Sequence, residues 1–430
     1  MTAYTSSGSA ALADYFRKRA DVLRTLDPDA PLDDLEPLRE IVGDARVVAV
    51  GEGAHFVHEF GLAHARVLRF LAERCGFTVL AMEFGFSEGF ALDSWLSGGG
   101  AESDLAELSG ALSLGLAGEL LRWLRRYNRT GSRPVRFVGV DIPTSVAIHH
   151  DLVPVSDYLS VVDPDALPTL ETARGIADRI ASGSAVVGAL SWFEHEPAEQ
   201  DALTASLARL LLRMRALEPL YVSRSDQNSY DLALRQMEAA CHTDYMYKAM
   251  HGIFSGNHVP GDTSVRDRYM ADSLSWHLDR LEPGTRVVLV AHTNHIQKTP
   301  VSFGDITALP MGHHLDRMLG EDYCALALTH TSDTVPEMHF PDETSEVGFT
   351  VAPVNVATPE PGSVEAGLID AGLGGDITLT NLRDAPRDAT ASVALNSIRT
   401  QSAAMVTPVP EAFDAVLSSP VANMDETVKF

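Results

Sequence analysis

Cysteine is scarce in this chain: Cys75, Cys241 and Cys324 are its three in 430 residues. They are scattered, odd in number and without a CxxC. That argues against a disulfide framework or a thiolate metal knuckle, and fits reduced thiols buried as small core residues. Long apolar runs are missing as well. The longest are of strand length, short of the ~20 residues that a membrane helix needs. The opening MTAYTSSGSAALADYF has no basic stretch followed by an apolar one, so no signal peptide is expected. Positive charge is the third shortage. Lys and Arg number 33 against 59 Asp and Glu, for a net charge of −26. Such an excess repels phosphate backbones and anionic lipid, so neither nucleic acid nor a membrane is an expected partner. What remains is the expectation of a cytoplasmic protein acting on a small molecule. Oligomeric state is not legible.

What is present is alternation. Hydrophobic residues make up 45% of the chain, enough for a large core. Residues 1–40 read as a helical lead-in. Residues 41–149 read as the first part of an α/β core: strand, helix at about 57–75, strand, helices at about 87–97 and 103–128, strand. Residues 150–283 turn to amphipathic helical patterns such as EQDALTASLARLLLRMRALEP, an insertion suited to a lid or pocket wall. Residues 284–430 resume the core, with strands at Thr285–Val290 and Tyr323–Leu328, a helix at Ser363–Ala371 and Pro- and Gly-rich C-terminal strands. The fold class expected is α/β, a mostly parallel central sheet flanked by helices, with the helical insertion forming one wall of the active-site cleft.

Four of the expected strands end in acid or histidine. Arg46–Gly51 leads to Glu52 and His55, Phe77–Met82 to Glu83, Phe137–Val140 to Asp141, and Val287–Val290 to His292 and His295. Ligands of open α/β sheets bind at the carboxyl ends of the strands, so these groups are expected in one crevice. Gly51 and Gly53 permit a tight turn there. His55 falls near a helix N-terminus, whose dipole disfavours the imidazolium and would lower its pKa. His58 reads as a surface residue or a support. Three chemistries fit. Glu52, His55, Glu83, Asp141, His292 and His295 are all metal-ligand types, though no HExxH is present. Gly85–Gly89 spells G-x-S-x-G, which with Asp141 and His292 follows the order of a Ser87 triad. Alternatively His55, assisted by Glu83 and His292, activates water directly.

The runs GEGAHFVHEF, GFTVLAMEFGFSEGF, FVGVDIP, RDRYMADSLSWHL, VVLVAHTNHIQKTP, LPMGHHLDRMLGEDYCAL and PEAFDAVL, in this order from about residue 40 to 420, resemble the erythromycin esterase family. The resemblance implies hydrolysis of a macrolide lactone without a required metal or other cofactor. It also implies His55 as the base that activates water, Glu52 and Glu83 as the carboxylates around it, and His292 as a second essential histidine. His295 and Lys298 are then candidates for binding substrate. In related esterases the position of Ser87 can be Ala, which the resemblance takes to make the elbow pattern accidental, and Asp141 becomes a supporting acid. One departure stands out: relatives read EFxxxRxxxLR where this chain reads EFGLAHARVLRF. Arg69 matches the second arginine, but His64 replaces the first, and Arg66 is about 200° away around a helix. His64 and Arg69 join the expected substrate-binding set. The expectation is a metal-independent hydrolase of a macrolactone or other bulky natural-product ester. The alternative is a biosynthetic enzyme using the same site for elimination, cyclisation or acyl transfer.

Overall fold

In the computed structural model, residues 2–131, 133–303, 306–340, 345–385 and 394–429 are described. Eight strands form the central sheet: β1 (Ala20–Leu23), β2 (Val47–Glu52), β3 (Phe77–Gly85), β4 (Arg136–Asp141), β5 (Arg286–His292), β6 (Tyr323–His330), β7 (Ile377–Asn381) and β8 (Ala415–Ser419). Their order is β1-β7-β8-β6-β2-β5-β3-β4. The six strands from β8 to β4 are mutually parallel, and β7 alone runs against its neighbours. The fold is therefore the α/β class expected, with one reversed strand near an edge. The first forty residues are not helical throughout: after the helix Thr2–Arg19 the chain adds β1, paired from Ala20 with Thr380 to Leu23 with Ile377. Four residues are too few to show a period.

The strand sequences are continuous β-branched and apolar runs because both faces of a parallel sheet are covered. Val48, Val50, Leu80, Met82, Val288 and Val290 pack into the core on one face. Their neighbours Val47, Ala49, Val79, Ala81, Val287 and Leu289 pack into the core on the other. The His58–Cys75 helix covers the first face and ends at Gly76, whose φ of 79° allows a left-handed cap. The Ser264–Leu278 helix covers the second. Between β4 and β5 the chain is helical, from His149–Val162 to Ser264–Leu278, and it owns a third core around Leu159, Leu203, Leu207 and Met237. Among the described residues no helix is long and apolar enough to cross a membrane.

Candidate active site

Because β2, β5, β3 and β4 are consecutive and parallel, their carboxyl ends open on the same side of the sheet. Register does the rest: Glu52 on β2 lies directly beside His292 on β5. Two glycines let the chain turn here. A Cβ on Gly51 would stand 2.6 Å from Ile296 Cδ1 and 2.8 Å from Thr293 Cα, and one on Gly53 would stand 2.6 Å from the Leu328 carbonyl oxygen. Both positions exclude any side chain. The turn continues through Phe56, a non-glycine residue at φ 66°, and the helix starts at His58.

His55 Nδ1 donates to Glu52 Oε1 at 2.6 Å, and its ring centroid is 4.6 Å from that of His292. Burial works to lower the His55 pKa, but the hydrogen bond and charge of Glu52, with the charge of Glu83, outweigh it and raise it above the ordinary histidine value. The helix dipole argument pointed the other way. A carboxylate in direct contact outweighs partial charges at the end of a helix. With Nδ1 committed to Glu52, Nε2 is left to take a proton.

His292 is the opposite case. Burial, and then the neighbouring His55, hold its pKa well below the ordinary value, so the ring is neutral. Its Nδ1 accepts the N–H of Asn294 at 3.2 Å, which leaves the ring proton on Nε2. The ring is thus a neutral donor. Gln401, at φ 48°, stands within hydrogen-bonding reach of it, accepts the backbone N–H of His55 and donates to Gly53 O at 2.7 Å.

Glu83 does not touch His55 through a hydrogen bond. Its Oε2 accepts the His292 backbone N–H at 2.9 Å, and its Oε1 lies 2.7 Å from Arg266 and 3.4 Å from His295 Nε2. Burial would raise its pKa, yet His295, Arg266 and His55 together drive it well below the usual range. His295 donates from Nδ1 to Asp267 at 2.7 Å. Against burial, Asp267 and Glu83 push its pKa up to about 9, so it is an imidazolium. Arg266 also grips Asp141 through Nε at 3.0 and 3.1 Å. Burial raises the Asp141 carboxyl while Arg266 opposes it. Asp141 therefore anchors Arg266, in keeping with a supporting role. A cavity of about 280 Å³ opens over His55, Glu83 and Arg266, walled by Leu112, Met246, Met250, Phe254 and Phe349.

The structure brings Glu52, His55, Glu83, His292 and His295 together. It does not bring the remaining expected residues to that cavity. His64 is 4% exposed and sits behind the dyad, its unpartnered Nε2 on a cavity of about 30 Å³ shared with Glu52, His55 and Glu83. Burial lowers its pKa, against Glu52 and the Val50 carbonyl. Expected to bind substrate, it instead backs the carboxylate that orients His55. Arg69 is a correction of the same kind: it bonds the carbonyls of Pro28 and Ala30 at 2.7 and 3.1 Å and Glu73 at 2.9 Å, tying down the lead-in loop. Lys298 is drawn off to Asp414, 2.7 Å away, beside Val42–Ala45 and Tyr323 at the opposite end of the strands. Ser87 does follow a strand and open a helix, but its hydroxyl donates to buried Asp151 at 2.6 Å and not to a histidine. Three participants carried no role in the sequence reading: Arg266, Asp267 and Gln401. The run RDRYMADS held the first two in plain view, but nothing local said which face they take.

A buried histidine–carboxylate pair, a neutral imidazole beside it and a largely apolar cavity above make this strand-end crevice the candidate active site. The family model described as erythromycin esterase matches residues 72–421, and the chain belongs to that family of ester hydrolases. It is 35% identical to the erythromycin esterase type I of Escherichia coli over 94% of this chain and 98% of that protein. It is 34% identical to the type II enzyme of Escherichia coli, covering 93% and 95%. Among solved structures, a mutant of the erythromycin esterase EreC in its open conformation superposes with a TM-score of 0.90 at 35% identity, covering 96% of this chain and all of that one (100%).

Proposed function

We propose that this protein hydrolyses a macrolactone, or a similarly bulky natural-product ester, by general-base activation of water without a metal. The observation that carries the reading is the pairing of His55, oriented by Glu52, with a neutral His292 whose ring centroid is 4.6 Å away. His55 Nε2 removes a proton from water as the water attacks the ester carbonyl. Glu52 holds the tautomer and stabilises the imidazolium that forms. The carbonyl oxygen gains negative charge in the tetrahedral intermediate. His292 Nε2–H and the Arg266 guanidinium at the cavity edge are the donors for it. Proton return from His55 expels the alkoxide as alcohol. Metal independence is supported by how the strand-end acids are spent. Glu83 is shared among Arg266, His295 and the His292 N–H, and Asp141 is held by Arg266, so these oxygens do not converge on one point. The apolar cavity suits the hydrocarbon face of a macrolide-like ring.

The test is turnover of a macrolactone panel in heavy-oxygen water. Hydrolysis places one labelled oxygen in the ring-opened acid; an unlabelled product would overturn the reading in favour of elimination or acyl transfer. Removing the base by His55→Ala is expected to lower kcat by about 10²–10⁴. Because the base works only when deprotonated, the acid limb of kcat/KM lies above the ordinary histidine value. Glu52→Gln removes the largest of the charges that raise His55, leaving that of Glu83, and is expected to shift that limb to lower pH while kcat falls. A limb that stays in place would mean that another group titrates.

A further inference from the structure

The loop that carries His55 is held from outside by a strap near the C-terminus. The His58 N–H donates to Asn423 O at 2.9 Å, the Asp425 N–H donates to Phe56 O at 2.8 Å, and Met424 bridges Val57. Glu59 accepts the backbone and side-chain N–H groups of Asn423 at 2.8 and 2.7 Å. Beside this contact three side chains converge from three elements: His58 at its helix start, Glu119 from the Leu105–Thr130 helix, and Asp425 from the strap. One donor atom of each lies within 4.8 Å of the other two. His58 Nδ1 pairs with Glu119 Oε2 at 2.9 Å. Two ligand atoms on one tetrahedral zinc ion stand roughly 3.3 Å apart, so the pair need open only slightly to admit an ion between them.

The electrostatics agree. Burial raises the Glu119 carboxyl and the adjacent charge of Asp425 raises it further, with His58 opposing. Like charges held together in this way are relieved by a dication. Thr427 takes Asp425 Oδ1 through its N–H and its hydroxyl, both at 2.7 Å, which leaves Oδ2 for the cluster. Arg122, Arg126 and Glu426 border the same depression. Among the described residues neither arginine forms an ion pair with the cluster, and three carboxylates against two guanidiniums leave the spot negative.

We propose that His58, Glu119 and Asp425 bind a divalent ion of the zinc class, completed by water, which clamps the strap onto the loop bearing His55. An imidazole with two carboxylates suits Zn²⁺ better than Mg²⁺, a hard ion that prefers an all-oxygen, octahedral shell. The role is structural, since none of the three residues lines the cavity over His55. The test is calorimetric titration of the full-length, chelator-treated protein with ZnCl₂, with MgCl₂ as control and thermal melts alongside. One Zn²⁺ per chain at micromolar concentration and a raised Tm are expected. His58→Ala, Glu119→Gln and Asp425→Asn should each weaken binding by roughly tenfold or more and abolish the rise in Tm. The absence of saturable micromolar binding overturns the proposal. So does unchanged affinity in all three variants, which would place the ion elsewhere. Glu119→Gln is conservative and partly exposed, so it reports even if the strap variants misfold. Stoichiometry and Tm are read without turnover, so this result and that of the esterase assay are independent.

Discussion

Glu83 and a second set of buried acids lie close together in this molecule and behave in opposite ways. At the strand ends, Glu83, Asp141 and Asp267 are met by Arg266 and His295, and Glu83 is held firmly ionised. Just behind, where the helical wall joins the sheet, Glu88, Asp151 and Asp244 are buried without a cation. Each has one oxygen lacking any hydrogen-bond partner. Burial pushes Glu88 up to about 7, Asp244 up to about 6 and Asp151 well above its usual value. The imidazole beside Glu88, His150 at 3.6 Å, is itself driven down to about 4 by burial and by His149, and so brings no charge. Burial therefore leaves Glu83 ionised, whereas it carries the titration of Glu88, Asp151 and Asp244 up out of the usual carboxyl range. The difference is the supply of opposite charge: Arg266 and His295 face the strand-end acids.

Removing the cation should break the contrast most severely. Arg266→Met leaves Glu83 and Asp141 buried without their partner, and is expected to cost roughly 3–5 kcal/mol of stability and to abolish turnover. Denaturant melts showing an unchanged midpoint would refute this. The second test uses pH. For Glu88 the folded pKa is above the unfolded one, so its contribution is present below the unfolded carboxyl value and is lost as pH rises through about 7. His295 likewise contributes below its unfolded value and loses that contribution as pH rises through about 9. Stability should thus decline in two windows. Glu88→Gln, a neutral mimic, should lessen the slope of the lower window, where Asp244 also titrates, and leave the upper window unchanged; a lower slope equal to that of the unaltered protein would mean that Glu88 is ionised in the fold. The smallest effect belongs to Ser87→Ala. It removes one hydrogen bond to a protonated Asp151, worth about 1 kcal/mol, and should leave kcat within about twofold. Loss of activity would restore the nucleophile elbow.

Much of this was legible beforehand. Strands buried on both faces read as unbroken apolar runs, so the polar residue that ends each run marks the sheet's edge, and parallel order places those ends together. That is why Glu52, His55, Glu83, His292 and His295 could be grouped from residues hundreds of positions apart. Arg266 could not be placed. It reaches Asp141 across 125 positions and Glu83 across 183, after a helical excursion whose docking no local pattern records. Lys298 misled for a related reason: it lies three residues past His295, but the chain there leaves the cleft for Asp414. Arg69 kept the spacing of the family pattern while facing a loop that periodicity does not reveal.

The sequence by itself determined the layered fold and the end of the sheet where its acids and histidines collect. These follow from hydrophobic period and residue type, which are local. Tertiary structure alone decided which groups are charged. The positive charge of His295 depends on Asp267, 2.7 Å away on another element, and the neutrality of His292 on burial and on His55 at the end of another strand; the Glu52 contact that raises His55, at 2.6 Å, is near in sequence but is closed only by the geometry of the turn. At that range, in a buried site, a small change of distance outweighs any intrinsic preference of the side chain.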